Sequence, residues 1–147
     1  MKKTILSSLF ILFAGISLNA QQVKIVFTQP EVIVETRNWD GKTKLELKGN
    51  YALRNLGKVA VNISKDNFEL PCNCSEMIIP QSRITTEQKD FYVTYVYTID
   101  PSKSDGKTEI EKLKKTDGKF SKVITFFVEG DDEVHELYFD GQINFTN

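Results

Sequence analysis

The chain has 147 residues, room for one domain, and its 19 basic and 20 acidic side chains leave a net charge of −1. That balance excludes the basic face with which a nucleic-acid binder neutralises phosphates. With two cysteines and one histidine, disulfide scaffolds are excluded, and any acyl-transfer triad or ordinary zinc hydrolase site must rest on a single imidazole.

Residues 1–20 read as a signal peptide. Lys2 and Lys3 give the positive start, Ile5 to Leu18 the apolar stretch, and Leu18-Asn19-Ala20 a small residue at the cut. The apolar stretch is shorter than the ~20 residues a bilayer core requires, so cleavage is expected rather than anchoring. The residue after Ala20 is Gln21, not a cysteine that would carry a lipid. The mature chain, 21–147, is expected to be soluble, with no transmembrane segment. It keeps 17 basic and 20 acidic residues, a net charge of −3, and fourteen aromatics for a core.

Short strand patterns then follow one another. Val23 to Phe27 is β-branched and aromatic, Pro30 interrupts, and Val32-Ile33-Val34 resumes. Asn38-Trp39-Asp40-Gly41 is a turn whose Asp-Gly is a strong hairpin signal. Leu45, Leu47, Gly49, Tyr51 and Leu53 then alternate with Glu46, Lys48, Asn50 and Arg54, the period of a half-buried antiparallel strand. Asn55-Leu56-Gly57 turns the chain, and Val59, Val61 and Ile63 continue the alternation. Phe68 to Leu70 leads into Pro71-Cys72-Asn73-Cys74, and Met77-Ile78-Ile79 precedes Pro80.

Phe91 to Thr98 places Phe91, Val93, Tyr95 and Tyr97 on one face. Phe120 to Val128 is a further strand, Glu129 to Asp132 an exposed turn, and Val134 to Ile143 closes the domain with Leu137, Phe139, Gly141 and Ile143 on one side. Tyr51, Leu53, Ile124 and Phe139 are expected in the core. Residues 99–118 carry no strand pattern. Thr108 to Lys115 fits a short helix with Thr108 and Glu111 as a capping box and Ile110 and Leu113 on one face, taken as a solvated excursion. Seven to eight strands argue for an all-β fold, an antiparallel β-sandwich.

The landmarks from residue 47 onward also resemble a family. They are Leu47 to Gly57 with its Asn-x-Gly turn, Val59 to Ile63, Cys72-Asn73-Cys74 where Cys-Gly-Cys is typical, and Val93-Thr94-Tyr95. Gly118 to Ile124, of the form Gly-x-Phe-x-Lys, and Leu137 to Ile143 complete the series. Their order resembles the bacterial "domain of unknown function 1573", immunoglobulin-like domains of exported proteins common in Bacteroidetes. The chain departs from that pattern at Asn73, at Pro80-Gln81 where Pro-Gly is usual, and in the longer 99–117 segment. The resemblance implies an immunoglobulin-like sandwich and an exported location, and it brings no activity.

Few residues offer chemistry. His135, the only histidine, lies at a strand start beside Glu133 and Glu136 and reads as a strand-end side chain near water. Asp131, Asp132 and Glu133 lack the spacing of a calcium loop and read as solvated turn acids. Cys72 and Cys74 project to one face in an extended segment, which leaves three states open. They could form a short, strained disulfide, bind a soft metal such as Cu(I) together with Met77, or sit as small buried hydrophobes. Structural or inert roles lead, because Cys-x-Cys alone is degenerate. Trp39 in the Asn-Trp-Asp-Gly turn could be an exposed binding aromatic. The sequons at Asn62, Asn73 and Asn144 read as chance.

The expectation is a non-catalytic exported binding or structural module of the cell envelope, periplasmic or secreted. Its partner would be a protein or envelope component, with no catalytic residue, cofactor or metal. The alternative is a periplasmic thiol-redox or copper-handling protein using Cys72, Cys74 and Met77. The Cys72–Met77 loop and the 99–117 insertion are the places to look.

Overall fold

A computed structural model describes residues 22–28 and 31–147; the expected signal peptide lies outside these residues. The strands are β1 (Ile25–Phe27), β2 (Val32–Trp39), β3 (Leu45–Asn55), β4 (Val61–Asn62), β5 (Phe68–Glu69), β6 (Ser75–Ile78), β7 (Arg83–Ile84), β8 (Phe91–Ile99), β9 (Lys119–Phe126) and β10 (His135–Phe145). One helix, α1 (Ser104–Lys115), separates β8 from β9. Seven of these strands have three or more residues, in line with the seven or eight expected.

Two four-stranded sheets, β1-β3-β8-β6 and β2-β10-β9-β5, pack as a sandwich, and β4 pairs with β7 in a short ribbon. This is the immunoglobulin arrangement of one A-B-E-D sheet against one C-F-G sheet. The first strand is split between the sheets. β1 runs antiparallel to β3, whereas β2 runs parallel to β10 from Val32 beside Tyr138 to Trp39 beside Phe145. The other paired strands are antiparallel.

That division corrects one expectation. Asp40-Gly41 does turn the chain: Gly41 has φ +72°, and the Asp40 carboxylate accepts the N–H groups of Lys42 and Thr43. It joins no hairpin, because β2 and β3 belong to different sheets. A turn signal reports local chain reversal, whereas the ladder partner is set by which faces bury together. Trp39 is correspondingly not an exposed binding aromatic. It ends β2 buried, its indole N–H donating to Thr43 O at 2.9 Å and its ring packed on Phe145.

The core lies between the sheets and is lined by the alternating faces. Leu45, Leu47, Tyr51 and Leu53 from β3 meet Phe91, Val93, Tyr95 and Tyr97 from β8, and Ile124, Phe126, Leu137, Phe139 and Ile143 face them. Tyr51, Leu53, Ile124 and Phe139 are each at most 1 % exposed, as expected. The Tyr51 hydroxyl crosses the core to donate to Tyr138 O at 2.7 Å. Buried Asn55 holds the Asn-x-Gly turn. Its Oδ1 accepts the Gly57 N–H, and its Nδ2 donates to Val59 O and to Ile84 O on β7.

The 99–118 segment differs most from expectation. The helix begins at Ser104, one turn before Thr108, so Thr108 is no cap; its hydroxyl donates back to Ser104 O at 3.0 Å. The turn is gained through Gly106, where a Cβ would lie 1.9 Å from Asp100 O. At the other end Gly118, at φ +76°, donates its N–H to Leu113 O and stops the helix. Nor is the segment a solvated excursion, since Gly106, Glu109 and Leu113 are buried against the sandwich.

Candidate functional site

Register brings the two segments singled out above to one end of the sandwich. Ser75 at the start of β6 lies beside Tyr97, near the end of β8, and the Thr98 N–H donates to Cys74 O at 2.8 Å. Five residues after β8 ends, α1 begins. The start of β3 is at the same end, because Leu45 pairs with Ile99. The 127–134 connection, which follows β9, closes the opposite end.

The Pro71–Ser75 loop is tightly held. Cys72 and Cys74 are joined as a disulfide, half-buried against the core edge, and Cys72 O accepts the Ser75 N–H. Beneath the bridge runs a short polar chain. Tyr95 Oη lies 2.6 Å from Ser75 Oγ, which lies 3.1 Å from Cys72 Sγ. Burial pushes the Tyr95 hydroxyl up to about 12, against a smaller opposing pull from Ser75, so Tyr95 keeps its proton at neutral pH.

Two open clefts flank the disulfide loop. One, of about 380 Å³, is lined by Asn73, Cys74, Thr98, Lys103 and Asp105 among others. The second, of about 270 Å³, lies between Cys72-Asn73-Cys74 and the Asp105, Thr108, Glu109 and Lys112 face of α1. Cys74 lines both clefts; Cys72 lines the second.

Glu109 pins the helix across the sandwich. Its Oε2 accepts the Tyr97 hydroxyl of the first sheet at 2.8 Å and Lys122 Nζ of the second at 2.7 Å, while Oε1 accepts Lys112 Nζ at 2.8 Å. Lys122 Nζ also sits 4.6 Å from the Tyr97 ring centroid. Burial acts to raise the Glu109 carboxyl, but the bonds from Lys112, Lys122 and Tyr97 outweigh it and hold the group at about 2. Burial and the Glu109 bond together push Tyr97 well above the ordinary phenol range. Glu109 escaped notice in the sequence, although an acid four residues before Leu113 falls on the helix's apolar face and was a readable signal.

The remaining residues of interest lie elsewhere. His135 begins β10, as expected, but does not lie near water. It is buried against Phe27 and Phe126, its Nε2 has no hydrogen-bond partner among the described residues, and Glu133 Oε2 is 4.0 Å away. It stands at the opposite end from the clefts, where β10 begins. Asp131 and Glu133 are not idle turn acids either. Asp131 Oδ2 accepts the Ile25 N–H at 2.6 Å and Glu133 pairs with Lys24, which together fasten the N-terminal strand. Met77 is buried within the core cluster of β6 and β8. With both sulfurs bonded to one another, no thiolate is offered to a metal, and the described residues contain no cluster of three His, Cys, Asp or Glu that could hold one. Asn62, Asn73 and Asn144 are exposed.

No family model matches the chain, and no curated protein does. Solved structures do. A protein of unknown function from Porphyromonas gingivalis W83 superposes with a TM-score of 0.54 at 11 % identity, covering 86 % of this chain and 50 % of that one. The SrpA adhesin of Streptococcus sanguinis gives a TM-score of 0.45 at 14 % identity, over 84 % of this chain and 57 % of that one. The chain thus spans about half the length of these relatives, and the first likeness concerns the fold. Among the described residues no helix is long and apolar enough to cross a membrane.

Proposed function

We propose that the chain is a non-catalytic binding module of the bacterial cell envelope. It is exported by the signal peptide at 1–20, belongs to the "domain of unknown function 1573" group, and takes a protein or envelope component as partner. The observation that carries this reading is the convergence of the Cys72–Cys74 loop and helix α1 around two open clefts at one end of the sandwich. End loops carried on a rigid immunoglobulin frame are a common place for recognition. The groups that acid–base catalysis would need are committed elsewhere: Glu109 to two lysines and a tyrosine, His135 to an aromatic pocket at the far end. The likeness to a Porphyromonas gingivalis protein of unknown function supports the fold and adds no activity.

The test uses photo-crosslinking side chains placed one at a time at exposed Asn73, Lys107 and Glu129 of the full chain in its own envelope. Asn73 and Lys107 should capture the same partner. Glu129, at the opposite end, should not. Capture from Glu129 alone would overturn the assignment of the site.

A further inference from the structure

We propose that the Cys72–Cys74 bridge is a thiol–disulfide exchange site that accepts the thiolate of a dithiol partner at Cys74, with Cys72 as the leaving sulfur. This goes beyond binding, since it assigns a redox step and a direction of attack to the loop. Three observations carry it. The bridge is half-exposed and spans only one intervening residue, so it staples no distant chain segments and its reduction opens a ring of three residues. Its two residues have unlike surroundings, for Cys74 lines both clefts whereas Cys72 lines one. Beneath Cys72 alone stands the Tyr95–Ser75 pair, at 2.6 and 3.1 Å.

The direction follows from the leaving group. Exchange runs faster when the departing sulfur is the better stabilised thiolate. The bridged Cys72 sulfur carries no proton, so the Ser75 hydroxyl donates to it, which leaves the Tyr95 hydroxyl as the donor to Ser75 Oγ. A bond to developing thiolate charge is stronger than one to a neutral sulfur, so the pair acts mainly as the S–S bond breaks.

The electrons balance in two steps. An incoming thiolate bonds to Cys74 Sγ while the Cys72–Cys74 bond breaks, and its electron pair departs on Cys72 as a thiolate held by Ser75. The partner's second thiolate then attacks its own sulfur in the mixed disulfide and releases Cys74 as a thiolate. The partner dithiol is oxidised to a disulfide, and Cys72 and Cys74 are reduced by two electrons.

Glutathione is the probe, a monothiol whose first attack leaves a mixed disulfide that early quenching traps before a second glutathione resolves it. Oxidised full-length protein is mixed with excess glutathione, quenched with iodoacetamide during the reaction, and mapped by peptide mass spectrometry. The expected product carries glutathione on Cys74 and carbamidomethyl on Cys72. Ser75→Ala should slow the reaction roughly tenfold, and Tyr95→Phe by a smaller factor in the same direction. Adducts on Cys72, or spread equally over both sulfurs, would overturn the proposal, as would an unchanged rate in folded Ser75→Ala. The wild-type adduct position needs no variant to fold. Loss of the exchange with the crosslinks of Asn73 and Lys107 intact would remove this inference and leave the binding function standing.

Discussion

Gly49 lies mid-strand on the buried face of β3, a position where a side chain would ordinarily help pack the core. The Phe139 ring from the opposite sheet occupies that space: a Cβ at residue 49 would approach its atoms to 2.8 and 2.9 Å and Ile33 to 3.0 Å. Gly49→Ala should therefore destabilise by ~1–3 kcal/mol through overpacking despite the better strand propensity of alanine, read as a lowered denaturant midpoint. Phe139→Ala should cost ~3–5 kcal/mol, because the ring is fully buried and touches Tyr95 and Phe120. The double variant should lose less than the sum of the two single losses, since the clash vanishes with the ring. Full additivity would place Phe139 elsewhere. The alternation marked Gly49 as inward-facing in the sequence, but only the opposite sheet explains why it lacks a side chain.

Helix α1 is the element whose role the sequence conceals. Its stability depends on Glu109, whose carboxyl, ordinarily near 4.5, sits at about 2 in the folded chain. A depressed folded value means that the stabilisation is present in full above about pH 4.5 and is lost as pH falls towards 2. The wild type should lose about 3 kcal/mol more than Glu109→Gln between pH 7 and pH 2, the difference that a shift of this size carries. Urea melts of both proteins across that range check it. Parallel pH profiles would show that Glu109 does not carry the charge-pairing that ties α1 to both sheets. Because α1 also walls the second cleft through Glu109 and Lys112, acidification should loosen that wall before the core yields.

For the molecule as a whole, stability resides in the core between the sheets and owes little to covalent bridging. A disulfide that encloses one residue removes almost no freedom from the unfolded chain. Cys72→Ser with Cys74→Ser should still fold, at a cost of ~1–3 kcal/mol from placing hydroxyls at half-buried sites. Failure to fold would show the bridge to be structural. Export is tested on the same scale. The proposed cleavage after Ala20 should leave Gln21, or its cyclised form, as the first residue in intact-mass analysis of exported protein, and a retained Met1 on membrane-bound material would refute it.

Strand identity and facing were legible in the residues themselves, because side-chain period is a local property of extended backbone: Leu45 to Leu53 and Phe91 to Tyr97 point inward as their alternation requires. The Asn55 turn was legible too. Which strand pairs with which was not. β2 joins β10 rather than β3, although an Asp-Gly turn links it to β3, because ladder partners are chosen by burial of whole faces across more than a hundred residues. The same holds for the site. Glu109 meets Tyr97 and Lys122, twelve and thirteen residues away on opposite sheets, and Cys72 meets Tyr95 through Ser75. Periodicity shows that a side chain turns inward; only the packed sandwich decides what it meets there, since those contacts are made between segments that share no local pattern.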